Sequence, residues 1–223
     1  MASKFLDAAA RTAFTRAIEA IEQVSAAEVV VAVRRRSAAY LHANVAIGAA
    51  VAIAGLAAML FSDHEFALTS ILVDPFVVGG VAGAAVELLP AVKRRLSPRA
   101  MRQREVLRGA RAAFVERGVH RTRDRSGILV YVSWLEREVA VIADAGADAG
   151  IARALPAEIQ ADAVRSLTAA IPGGGAAVAR QLERFAPALA AAMPRRDDDV
   201  NELPDAIDSD LDRADRAAPG GAP

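Results

Sequence analysis

The sequence predicts an α/β protein, with α+β left open as the variant. The expected architecture is a small mixed sheet flanked by helices, with a two-helix transmembrane hairpin inserted after the first strand. Three observations predict it. "EVVVAV" (28–33), "GILVYV" (127–132) and "EVAVIA" (138–143) are apolar runs of strand length. Apolar residues recur at helical spacing before and after them. Two long apolar stretches, one uncharged and one with a single aspartate, lie between the first strand and the second.

The first element is a helix within 4–24, with Phe5, Leu6, Phe14, Ile18 and Ile21 at helical spacing. The first strand follows at Glu28. "ANVAIGAAVAIAGLAAMLF" (43–61) carries no charge, and "FALTSILVDPFVVGGVAGAAV" (66–86) carries only Asp74. At about 1.5 Å per residue each nearly spans a hydrocarbon core of about 30 Å. Only "SDHE" (62–65) joins them, which fits an antiparallel helical hairpin. The alternative is a buried hairpin of a soluble protein. Arg34, Arg35 and Arg36 precede the pair and Lys93, Arg94 and Arg95 follow it, while the link has neither lysine nor arginine. The positive-inside bias then puts both flanks, and with them both termini, in the cytoplasm.

Asp74 is a candidate polar site in the membrane. An aspartate at a span centre costs about 2.5–3.5 kcal/mol on the insertion scale. It sits eight residues into the stretch, about 12 Å deep by helix rise. Two readings stand: a buried polar site or oligomer contact, or a residue reached by water from the outer interface. Pro75 beside it predicts a kink. Gly79 and Gly83 form a GxxxG pattern, expected to pack helices closely within the hairpin or between copies as a homo-oligomer.

After the hairpin, Ser97 and Pro98 make a helix start, Val106, Ala110 and Phe114 continue it, and Gly118 ends it. "SWLER" links the second and third strands as an antiparallel pair. Helices with Ile159, Ala163 and Leu167, then Val178, Leu182, Phe185 and Leu189, follow "VIADAGADAGI" (141–151), which reads as a strand end and a loop. "PGGG" (172–175) is a helix break, since no GK[ST] follows it. One strand cannot stand alone, and a two-span hairpin returns the chain to its starting side. The sheet domain is therefore expected to be discontinuous, residues 1–36 and 97–205, around a hairpin of 41–91. The stretch 206–223 reads as an acidic disordered tail.

Composition narrows the chemistry. The 223 residues carry a formal net charge of zero, which gives no case for a nucleic-acid partner. There is no cysteine, so disulfides, thiolate nucleophiles and cysteine zinc sites are excluded. His42, His64 and His120 show no metal-ligand spacing. The first apolar run begins about forty residues in, so no signal peptide is expected. Ser133 and His120 form no evident triad. Asp124, Asp144 and Asp148 flank the second and third strands at one end, where three carboxylates could meet on a hard cation, Ca2+ or Mg2+. Arg121, Arg123 and Arg125 could hold an anion there or neutralise the acids. Glu28 and Arg137 are a candidate ion pair across strands.

Four stretches, in this order, resemble the TPM domain family. "AIEQVSAAEVVVAV" is similar to its helix and glutamate-led strand, with Ser25, Ala26, Ala27 and Glu28 at the family's "SGE". "AAFVERGVHRTRDRSGILVYVS" resembles its helix, basic-threonine turn and strand, which starts here at Gly127. "EREVAVIADAGADAGI", from Glu136 and Arg137, resembles the strand ending in Asp-x-Gly-Ile. That pattern fits Asp148, Ala149, Gly150 and Ile151, and "ADAG" (143–146) is a near-duplicate. Asn201, Glu202, Leu203, Pro204 and Asp205 match a signature of bacterial membrane members. The resemblance implies a bacterial inner-membrane protein. It implies an accessory, assembly or binding role for a membrane complex, hence a membrane-protein partner beside the lipid bilayer. The alternative it implies is a divalent-metal-dependent phosphatase or related hydrolase.

Overall fold

The structure is a computed structural model that describes residues 4–196, 201–203 and 206–211. The described residues fall into two compact units, one from 1–37 and 103–223, the other 38–102.

Among the described residues the first unit holds four strands: β1 (Glu28–Arg34), β2 (Gly127–Ser133), β3 (Glu138–Ala143) and β4 (Asp208–Ser209). Their order is β3-β2-β1-β4. β1 and β2 run parallel, from Glu28 opposite Gly127 to Arg34 opposite Ser133. β3 is antiparallel to β2, with Ile128 opposite Ala143 and Ser133 opposite Glu138. β4 lies parallel to β1 at Ala32 and Val33. The first two strands do not alternate between apolar and polar because both their faces are covered, as in parallel sheets generally. On one face Val29, Val31, Val33, Ile128, Val130 and Val132 pack under Phe14, Ile18 and Ile21 of α1 (Ala8–Glu22), with later helices completing the layer. On the other, Val30, Ala32, Leu129 and Tyr131 pack under Val106, Ala110 and Ala113 of α5 (Arg99–Glu116). Each such Val, Leu or Ile contributes about 1.5–3 kcal/mol when fully buried.

Parallel neighbours need a long crossover. Here the crossover from β1 to β2 carries α2 (Leu41–Leu60), α3 (Leu68–Ala85), α4 (Pro90–Leu96) and α5. The apolar pair is thus an insertion within a connection, and the strands on either side of it still pair. After β3 come α6 (Ala145–Ala154), α7 (Ala157–Ala170), α8 (Gly175–Glu183) and α9 (Ala186–Ala192). "PGGG" is a break between α7 and α8, with Gly174 at φ 85°.

Three expectations are corrected. The loop expected after β3 is α6, because Asp144 takes an extended backbone and its side chain accepts from the N–H of Ala145, a helix N-cap. The stretch 206–211, expected as the start of a disordered tail, instead supplies β4. Its Asp208 is bound by Arg34 and by Arg117, and Asp210 accepts from the Arg35 N–H at 2.7 Å. Charge pairing therefore overrides the composition that suggested disorder. Glu28 and Arg137 cannot pair, because the strand register puts them at opposite ends of the sheet. Pro204, Asp205 and 212–223 lie outside the described residues.

The second unit is an antiparallel pair, α2 with α3, followed by α4. Two helices, Leu41–Leu60 and Leu68–Leu88, are long and apolar enough to cross a membrane. Their pattern is small inside and large outside. Ala43, Pro75, Gly79 and Gly83 are buried, while Val45, Ile53, Leu72 and Phe76 are exposed. A Cβ on Gly79 would stand 2.5 Å from the Gly48 carbonyl oxygen, and one on Gly83 2.8 Å from that of Asn44. The GxxxG pattern is thus used inside the hairpin, where small residues let two backbones approach. α3 continues through Pro75 as one helix. Asp74 is exposed and is not among the buried positions of α3, which are Pro75, Gly79 and Gly83.

At the foot of this hairpin the Lys93 side chain is buried. Its Nζ donates to the Ala39 carbonyl at 3.1 Å and pairs with Glu87. Ser97 and His42 are joined through Oγ and Nε2 at 3.2 Å.

Candidate functional site

The sequence-predicted acids gather at the end of the sheet where β1 and β2 begin and β3 stops. Gly127 starts β2, and its own carbonyl accepts from the Asp144 N–H at 2.8 Å. A Cβ on Gly127 would meet the Val119 carbonyl oxygen at 2.1 Å, so only glycine allows this crossing. Asp144 is 4% exposed. Its carboxylate caps α6 through Ala145 N–H at 2.8 Å and accepts from Arg125 through Nη2 at 2.8 Å and Nε at 3.2 Å. The Arg125 guanidinium holds the Asp144 carboxyl below the usual aspartate range, against the opposing effect of burial. The same pairing raises Arg125. Arg125 reaches this position with φ at 55°, in the left-handed region.

Helix N-termini favour anions. Here the anion is the protein's own: Asp144 occupies the start of α6 and Arg125 covers it. Gly146 lets the first turn of α6 lie against the preceding loop, since a Cβ there would be 2.2 Å from the Asp124 carbonyl oxygen. The two "DAG" copies are therefore unequal. Asp144 is the buried cap, and Asp148 is an exposed residue in the first turn of α6. Asp124 points to Arg196 at 3.2 Å. Among the described residues no group of three or more His, Asp or Glu side chains is placed to hold a metal ion. The expected meeting of Asp124, Asp144 and Asp148 is corrected on that point: an arginine holds each of the first two, and the third stands one turn into α6, where it is exposed. Of Arg121, Arg123 and Arg125, the last is committed to Asp144. Arg123 contributes its backbone N–H, which donates to Glu202 at 3.0 Å. Arg121 lies over the preceding turn, where a Cβ on Gly118 would stand 3.3 Å from its Cδ.

Glu28 joins this end to the segment 201–203. Its carboxylate, buried at the start of β1, accepts from the N–H groups of Glu202 at 3.3 Å and Leu203 at 3.2 Å. Asn201 donates to Glu22 at 3.3 Å. The Glu28 and Asn201–Leu203 positions, quoted from two distant parts of the sequence, thus form one polar strap. His120 Nδ1 and Thr122 Oγ1 are buried beside the turn without a hydrogen-bond partner among the described residues.

The other end of the sheet holds a cluster that includes Ser133 and Glu136, both singled out in the sequence but not as partners. Ser37 N–H donates to Glu136 at 2.8 Å, Ser37 Oγ donates to Ser133 Oγ at 2.9 Å, and Ser133 donates to Glu136. Tyr131 OH meets Ser37 Oγ at 3.2 Å, and burial pushes the phenol up. Glu136 is 1% exposed. Among the described residues the hydroxyls bond to a carboxylate, with no histidine between them as in a triad. The cluster ties down the chain at the residue where it leaves the sheet unit. Its one signal in the sequence was a glutamate in a turn too short to hide it locally.

A cavity of about 200 Å³ lies between the sheet and α6 to α9. Val29, Ile128, Val141, Ile151 and Phe185 are among its walls, and Asp148 is the one charged residue lining it. Chemically, the sheet unit presents neutralised acids, a strapped edge and an apolar hollow. These are means of holding a surface or an apolar group, and the hydroxyl–carboxylate contact of Ser133 with Glu136 is buried.

No family model matches the chain, and no curated protein does. A structure that it resembles is that of BA42 protein from the psychrophilic bacterium Bizionia argentinensis, solved by NMR. The likeness has a TM-score of 0.53 at 16% identity and covers 92% of this chain and 95% of that one. At that identity it speaks for the fold, and it is compatible with a TPM-type domain.

Proposed function

We propose that this chain is a membrane-anchored, TPM-type binding or assembly factor for a membrane protein complex. In this reading α2 and α3 cross a bacterial inner membrane, and the sheet unit with both termini lies in the cytoplasm. The observation that carries the reading is the place of the apolar pair. It is inserted in the crossover between two strands that pair directly, so a bilayer can hold the hairpin without disturbing the sheet. The basic flanks, Arg34–Arg36 and Lys93–Arg95, support the orientation. The neutralised acids at the start of β2 favour binding over hydrolysis.

The test is extraction of the full chain from its native membrane in mild detergent, followed by size analysis and a matched deletion strain. The expected result is a reproducible complex larger than the chain and its homo-oligomers, with a membrane complex that assembles poorly in the deletion strain. A chain that always runs alone, with every membrane complex intact in its absence, overturns the proposal. Hydrolysis of phosphate esters with added Ca2+ or Mg2+, lost in Asp144→Ala or Asp148→Ala, would put the hydrolase alternative in its place.

A further inference from the structure

We infer that the outer face of α5 is a docking surface for anionic lipid headgroups. The inference rests on the proposed membrane anchoring and names the lipid class it needs. From residue 93 to residue 111 the chain carries eight basic residues and one acid, Glu105. α5 begins eleven residues after Leu88, where the second candidate span ends. Clusters of this size beside a span attract anionic headgroups.

The structure decides which arginines are available. Val106, Ala110 and Ala113 turn to the sheet and are buried. Arg104, Arg108 and Arg111, spaced four and three apart, share the opposite, exposed side. Arg108 pairs with Glu105 at 3.0 Å. Among the described residues neither Arg104 nor Arg111 has an acidic partner. Arg102 faces elsewhere, donating to the carbonyls of Arg94 and Ser97. Apolar side chains are interleaved with the arginines on the outer face: Leu107 is 39% exposed and Val115 62%. Guanidinium groups that bind phosphate, set among apolar residues that enter the headgroup layer, fit a membrane surface better than a nucleic acid. The chain as a whole is neutral, so net charge supplies no general attraction and a local basic cluster such as this face must provide it.

The full chain, which has no cysteine of its own, is tested in nanodiscs with Ala112→Cys carrying an environment-sensitive dye. Ala112 is exposed at the edge of the arginine face. In phosphatidylglycerol-rich discs the dye is expected to be better shielded from an aqueous quencher than in phosphatidylcholine discs. High salt should abolish the difference. The triple change Arg104→Gln, Arg108→Gln and Arg111→Gln should abolish it too, with the attached state weakened about fivefold per arginine. Circular dichroism establishes that the variant is folded, and resistance to alkaline extraction establishes insertion of the hairpin. Equal shielding in both lipids with the hairpin inserted overturns this inference and leaves the membrane anchor standing. A hairpin that never inserts overturns the anchor itself. Shielding that arises only when RNA or an acidic protein is added assigns the face to that polyanion and overturns the lipid assignment.

Discussion

Asp144 shows how one residue can look like a metal ligand and serve as a cap. A carboxylate in "ADAG" after an apolar run has the composition of a cation loop. Its geometry instead joins a buried N-cap to an exposed arginine. Asp144→Ala is expected to lower the stability of the full chain by about 1–2 kcal/mol, the usual cost of losing a cap. Denaturant unfolding in detergent reads it. Asp148→Ala, at an exposed site, should change little. Because folding depresses the Asp144 pKa, its contribution is present above the ordinary aspartate value of about 3.9 and is lost as pH falls through the folded value. Asp144→Asn should therefore flatten the acid limb of the stability profile and leave its slope near neutrality unchanged. A variant with the wild-type acid slope would show that another carboxylate governs it.

The hairpin makes the corresponding point for an element. Its length and apolarity were legible in the sequence, but GxxxG on α3 was open between an internal and an intermolecular contact. The structure turns Gly79 to α2 and Gly80 to the outside, where an added Cβ would meet nothing within 4 Å. Gly79→Leu should loosen the hairpin through overpacking, at a cost of about 1–3 kcal/mol or more. Gly80→Leu should be silent. Protease cleavage at 62–65 in detergent measures the difference, and equal cleavage of the two variants would refute the packing. Asp74 is exposed on the same helix, where lipid headgroups, water or another chain can reach it. α6 shows the limit of pattern reading for elements. "AGADAGIARA" is too rich in glycine and alanine to announce a helix by periodicity, and only the cap and the glycine contacts fix it.

For the whole molecule, the proposed orientation has a direct test. Ser62→Cys should react with a membrane-impermeant maleimide added outside intact cells, and Ala112→Cys should react only after lysis. The reverse pattern would invert the topology and separate it from the positive-inside rule. Much of the architecture was legible in advance. Three strands, the helical hairpin and the helices around them follow from period and length, because burial imposes those patterns locally. The fourth strand was not, since "DS" inside an acidic stretch becomes a strand only when Arg34 and Arg117 reach Asp208. Of the candidate site, the sequence placed Asp124, Asp144 and Gly127 at one end of the sheet. It could not assign their partners.

The sequence alone thus determined three of the strands, most of the helices, the apolar insertion and its basic flanks, because each depends on residues close together along the chain. Tertiary structure decided which charges neutralise one another. Asp144 with Arg125, Glu28 with the 201–203 strap, and Glu136 with Ser37 and Ser133 join residues from separate elements. Such pairings depend on strand register and backbone approach across the fold, and no local pattern encodes them.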